Sequence, residues 1–217
     1  MRGARHTSDH ITGRLMTDIT DKEAQHLHRL ILFSDAVFAI AITLLAIEIH
    51  PPEHFGGVAD FFRLMQSKLL AYAVSFGVIG INWISHRRTF ARLRRANGVL
   101  DVLNFLMLGL VALLPLGTEL LWEGGSSAAV LIYIGLVASI GVALALAWGY
   151  AAFIGDLTDP LSLSMKVYVL LRVALLPGLM CGLTLFSIAS QTPWGFVIIG
   201  LVIAAMTAGS RIQKKKA

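Results

Sequence analysis

The chain has 217 residues, of which 56% are hydrophobic and only 14% charged, and its mean hydropathy is +0.74. A water-soluble domain builds its core from far less apolar material, so this composition excludes a soluble globular protein and requires a surface that faces lipid. The net charge of +5 does not mark a nucleic-acid binder, because Lys and Arg fall in three blocks that flank apolar runs, the pattern of positive-inside anchoring.

Residues 1–27 are polar and carry Arg2, Arg5, Arg14 and Lys22, with no apolar stretch leading to a small-residue cleavage site, so no cleavable signal peptide is expected. The first apolar run, residues 29–49, is long enough to cross a hydrocarbon core of about 30 Å. It stops at His50, Pro51 and Pro52, since prolines cannot continue a helix. Aromatic and charged residues mix over 56–68, which reads as an interfacial segment leading into a second span at 68–86. The cluster RRTFARLRR at 87–95 closes that span. A third span is expected over 97–118, with Asp101, Asn104 and Pro115, followed by a loop holding Glu119, Glu123 and a Gly124-Gly125 pair but no Lys or Arg. A fourth covers 128–154 and ends in a turn marked by Asp156, Asp159 and Pro160. The fifth, 166–187, carries Arg172 and a kink-prone Pro177-Gly178, and the sixth, 194–208, precedes a basic tail. No internal repeat is evident.

The expected fold is therefore all-α: a polytopic membrane protein of six transmembrane helices with both termini cytoplasmic. The expected divisions are a polar segment at 1–27, a six-helix domain at 28–209 and a tail at 210–217. Counting Lys and Arg places the N-terminal segment, the 87–95 loop and the tail inside. The 155–165 loop is also inside on this count, although it is acidic. The cell membrane is the expected location, with lipid as a partner and nucleic acid excluded.

Several residues are costly to keep among lipids. Asp35 lies about two turns into the first span, where an exposed carboxylate costs about 2.5–3.5 kcal/mol, so it needs a partner or a function. Arg29, His86, Arg87 and Asn104 are its candidate partners. It serves either a structural polar knot between the first three helices or an ion-ligand role. On a helical wheel, Ala36, Val37, Thr43, Leu44 and Ile47 fall within about 60° of Ile40, whereas Ser34 and Asp35 lie more than about 100° away. The first face suits lipid, another helix or a pore; the second turns toward the rest of the subunit. His86 lacks a second ligand at useful spacing, so no metal is expected, and a hydrogen bond toward Ser34 or Asp35 suits it better. Arg172 snorkels to the inner interface or joins the polar knot. The lone Cys181 supplies neither a disulfide nor a metal set. No nucleophile with its base, phosphate-cradling glycine loop or metal pair occurs, so neither catalysis nor a cofactor is expected.

Three patterns in order carry a family resemblance. Arg29, Phe33, Ser34 and Asp35 form an Arg-x-x-x-Phe-Ser-Asp signature; Trp83, His86 and Phe90 form Trp-x-x-His-x-x-x-Phe; and Asn104 is followed by Leu114-Pro115. Together they resemble the family of transmembrane protein 175, the endosomal and lysosomal potassium channels and their bacterial relatives. The resemblance implies a cation channel whose first helix lines the pore, and, for a chain with one repeat, a homotetramer. It implies a constriction at Ile40, a Thr43 layer where a potassium ion rests transiently, and Ile47 one turn on, with Val37 and Leu44 on the same face. It also implies a polar network of Arg29, Phe33, Ser34, Asp35, Trp83, His86 and Asn104 on the opposite face. With no TVGYG-type loop, selectivity would come from an aliphatic ring and a hydroxyl layer, and a proton leak would accompany potassium. Two rival readings stand beside the channel: a proton-coupled transporter using Asp35, and a non-conducting assembly protein.

Overall fold

The computed structural model describes residues 3–124, 126–173 and 183, with side chains from Lys22 onward. The described elements are α1 (Gly3–Ile47), α2 (Val58–Phe90), α3 (Gly98–Ala112), α4 (Leu114–Gly124) and α5 (Ser127–Gly149), which widens into a π-helical turn at Tyr150–Ile154. Residues 163–173 open a further helix, α6. Among the described residues, four segments are long and apolar enough to cross a membrane: Lys22–Ile47, Val58–Phe90, Gly98–Glu123 and Ser127–Ile154. The rest of the expected fifth span with Pro177-Gly178, the sixth span, the tail and Cys181 lie outside the described residues.

The first four expected spans match these segments, with informative differences at their ends. α1 runs unbroken through residue 27 and ends at Ile47, three residues before His50 and the proline pair. The stretch at 56–68 is not a separate interfacial piece, because α2 starts at Val58 and continues for 33 residues. Its start is built by Gly57, whose φ of 144° suits glycine. Asp60 in the first turn accepts from the Gly56 N–H at 3.0 Å. The third span is broken in two. Pro115 lacks an N–H to bond to Val111 and its ring crowds that carbonyl, so α3 ends at Ala112 and α4 resumes at Leu114.

α1 packs against α2 and α3, α3 and α4 pack against α5, and α2 contacts α4. Leu27, Leu30, Ser34, Phe38, Ala41 and Leu45 are buried at three- and four-residue intervals, and they lay one stripe of α1 into the core. Tyr133, Ile140, Leu144 and Trp148 form the α5 side of that core. Many large apolar side chains remain outside, among them Val102, Leu131 and Ile154, as expected where the surrounding solvent is lipid.

The acidic 155–165 loop meets the basic 87–95 loop. Leu93 and Thr158 form an antiparallel bridge, and the Arg94 N–H donates to the Leu157 carbonyl at 2.8 Å. Arg94 pairs with Asp159, while Arg95 reaches the Asp156 carbonyl and Glu23 of α1. The two loops therefore share one end of the bundle. The acidic composition that sat awkwardly with the topology count is the counter-charge of the basic loop.

Candidate functional site

Ser34 is fully buried on the core face of α1. Its hydroxyl donates its one hydrogen to the Leu30 carbonyl at 2.8 Å, so its oxygen is left to accept from Asn104 Nδ2 at 2.9 Å. That bond turns the Asn104 Oδ1 toward His86 Nε2, 3.0 Å away. An amide oxygen only accepts, so this hydrogen-bond logic assigns the proton to His86 Nε2. His86 is fully buried, stacks on Phe90 with ring centroids 4.0 Å apart and lies beside Phe38 at 5.7 Å. The result is one continuous chain from α1 through α3 to α2, closed by aromatic walls.

Asp35, next along α1, is half-buried and accepts from the Trp83 indole N–H at 2.7 Å. Trp83 in turn lies under the Arg87 guanidinium, 5.3 Å from the ring centroid. The carboxylate thus finds its direct partner in an indole, and not in Arg29, Arg87, His86 or Asn104, the candidates expected at the same end of the first three spans. An indole N–H is a donor alone, which suits a carboxylate that can only accept.

The opposite face of α1 is left exposed by the described residues. Ile40 is 57% exposed and Ile47 66%, with Leu44 and Thr43 also exposed. Thr43 directs its hydroxyl hydrogen at the Ile40 carbonyl, 2.8 Å away, which leaves its oxygen lone pairs on the outer face. Val37 is half-buried and packs on the core, so it marks the border between the two faces.

The family model described as endosomal/lysosomal potassium channel TMEM175 matches residues 29–115, from the arginine of the first signature to the proline that breaks the third span. A protein named as a potassium channel in Streptomyces collinus is 36% identical over 135 residues, covering 59% of this chain and 66% of the relative. A potassium channel of Chamaesiphon minutus is 35% identical over 139 residues, covering 60% of this chain and 68% of the relative. The chain belongs to the TMEM175 family. The crystal structure of a lysosomal potassium-selective channel TMEM175 homologue from Chamaesiphon minutus superposes with a TM-score of 0.63 at 29% identity, covering 85% of this chain and 97% of that one. The matched sequence spans about two thirds of the length of the two curated relatives. The protein is thus a multi-pass member of an ion-channel family, not of an enzyme family.

Of the residues expected in the polar network of a TMEM175 protein, Ser34, Asn104 and His86 form one hydrogen-bonded set and Asp35 with Trp83 a second beside it. Phe33 is half-exposed and pairs with Phe105 of α3, with ring centroids 5.3 Å apart, and makes no hydrogen bond in either set. Arg29 is not brought into the network. It is exposed on α1 and makes no hydrogen bond or ion pair with any described residue, because its position turns it away from the buried stripe of Leu27, Leu30 and Ser34. Arg172 also stays out of the knot and lies near Arg88, Arg92 and Tyr168 instead.

A second buried set was not anticipated. Tyr133 Oη donates to Ser75 Oγ at 2.8 Å, Ser75 Oγ lies 2.7 Å from Thr118 Oγ1, and Thr118 donates to the Leu114 carbonyl at 2.8 Å. The signal available for it was two hydroxyl residues, Ser75 and Thr118, standing inside apolar runs. At the other end of the bundle, His26 of α1 lies 2.9 Å from Asp101 of α3, a contact that 75 residues of separation concealed.

Proposed function

We propose that the protein is a potassium-permeable channel of the cell membrane in which four copies surround one pore and α1 of each lines it. The observation that carries this reading is the division of α1. One face is sealed into the subunit by Ser34 and Asp35, while Ile40, Thr43 and Ile47 are left uncovered on the other. A single helix cannot enclose a pore, so these faces would meet around a symmetry axis. Four Ile40 side chains would form an aliphatic ring that excludes water when narrow and passes partly hydrated cations when wider. Thr43 suits the next layer. Its hydrogen is committed to the helix, so its oxygen is free to stand in for a water ligand of potassium. One hydroxyl layer replaces little of a hydration shell, which implies modest discrimination against sodium and leaves room for a proton leak.

The test is potassium flux from liposomes containing the purified protein. Wild-type protein should release potassium down its gradient, Ile40→Ala should raise the flux several-fold by removing the narrowest ring, and Thr43→Ala should reduce the preference for potassium over sodium. Absence of flux, or flux indifferent to both substitutions, would overturn the assignment of α1 as the pore helix.

A further inference from the structure

Two polar atoms in the core are left over once the bonds around His86 are counted. His86 Nε2 gives its hydrogen to Asn104 Oδ1, 3.0 Å away on α3, so His86 Nδ1 carries a bare lone pair. One turn earlier on α2, Asn82 Nδ2 donates to the Val78 carbonyl at 2.9 Å. A carbonyl oxygen only accepts, so the amide atom facing Val78 is the nitrogen and Asn82 Oδ1 is the atom turned away from it. Asn82 and His86 are both fully buried. Neither Asn82 Oδ1 nor His86 Nδ1 has a hydrogen-bond partner among the described residues.

The two atoms belong to one niche. Residues four apart on a helix share a face, with Cβ atoms about 5–6 Å apart, and helical side chains lean toward the N-terminus. The His86 ring therefore lies over the turn that carries Asn82. Nδ1 is the ring nitrogen next to Cγ, so it stays close to α2 while Nε2 reaches across to α3. The Asn82 nitrogen points back to Val78, which leaves Oδ1 on the His86 side of the amide. The two atoms do not bond each other, because both are acceptors. Phe38 and Phe90, with ring centroids 5.7 and 4.0 Å from that of the imidazole, offer no donor. Buried acceptors without a donor are costly, and folded proteins leave few of them unmatched.

We propose that Asn82 Oδ1 and His86 Nδ1 bind one buried water molecule, which donates a hydrogen to each. Water has two hydrogens for the two neutral acceptors, and a polar niche with two partners is enough to hold one. The water lengthens the chain of bonds that starts at the Leu30 carbonyl and passes through Ser34, Asn104 and His86. It carries that chain one turn further along α2, to Asn82 and the Val78 carbonyl. Asn82, which lies outside the three family patterns, thereby joins the polar knot through the solvent molecule it holds. This site is independent of the pore face and does not depend on the chain conducting potassium.

Solid-state NMR of the full-length, isotope-labelled protein in lipid tests it, with His86 assigned through the backbone of Ser85 and Arg87. In wild-type protein Nε2 should carry the ring proton, Nδ1 should be unprotonated, and polarisation should pass from water protons to Nδ1. Asn82→Leu takes away the acceptor and fills the niche, so the transfer to Nδ1 should be lost. Asn82→Ser should keep it. A serine hydroxyl gives its hydrogen to the carbonyl four residues back, as Ser34 does to Leu30, and its oxygen remains to accept from the water. The wild-type spectrum decides the matter by itself if Asn82→Leu does not fold. Absence of transfer to Nδ1 in wild-type protein, a protein donor bonded to Nδ1 in place of water, or transfer undiminished in Asn82→Leu would overturn the proposal.

Discussion

The bundle contains two buried hydrogen-bonded sets, and they hold different things. Ser34, Asn104 and His86 tie α1 to α3 and α2, whereas Ser75, Thr118 and Tyr133 tie α2 to α4 and α5 and leave α1 out. Along α2, His86 and Ser75 are separated by roughly 16 Å. At the first level α1 is gripped by directional bonds. At the second it contributes the fully buried Leu45, held by packing alone. The scaffold of α2, α4 and α5 is therefore locked independently of α1, and α1 is pinned at its Ser34 end more specifically than at its Ile47 end.

The comparison is sharpened most by Asn104→Ala. This change strands both the Ser34 oxygen and the His86 N–H in the core, and the expected loss is about 2–4 kcal/mol, since each buried orphan costs about 1–3 kcal/mol. Unfolding in mixed micelles measures it, and flux should fall with it because α1 loses its orientation. A stability loss with flux unchanged per folded channel would break the claim that this knot positions α1. Ser75→Ala should cost less, about 1–2 kcal/mol, because Thr118 keeps its bond to the Leu114 carbonyl and the change removes only the Ser75 hydroxyl from the set. Here flux per folded channel should persist; its disappearance would show that the two sets are coupled. The smallest effect belongs to Asp35→Asn. An amide oxygen still accepts from the Trp83 N–H, so stability should change by less than about 1 kcal/mol, and potassium flux should remain. Loss of saturable, proton-coupled transport in a well-folded Asp35→Asn protein would favour the transporter reading over the channel.

Much of α1 was readable from spacing alone. The wheel that separated Ile40, Thr43 and Ile47 from Ser34 and Asp35 needs only 3.6-residue periodicity, and the observed burial of α1 follows the same division. The resemblance put Trp83 in one network with Asp35, but spacing alone did not single it out from His86 or Asn104, because which donor meets a carboxylate depends on how two helices rotate against each other. Arg29 illustrates the converse. Its charge and its place in the signature suggested the network, but rotation about α1 leaves it outside.

Composition, hydropathy and proline placement by themselves determined that this is a mostly helical membrane protein, where its first four spans run and which faces of α1 differ. Those properties are local, set by the solvent each helix requires and by the backbone donors each proline removes. Tertiary packing decided the rest: Asp35 with Trp83, Ser34 with Asn104 and His86, Ser75 with Thr118 and Tyr133, and the acidic loop folded onto the basic one. Each of these pairings joins residues far apart in the chain, and only the packing of one helix on another fixes which polar groups meet in a medium that offers no water to satisfy them.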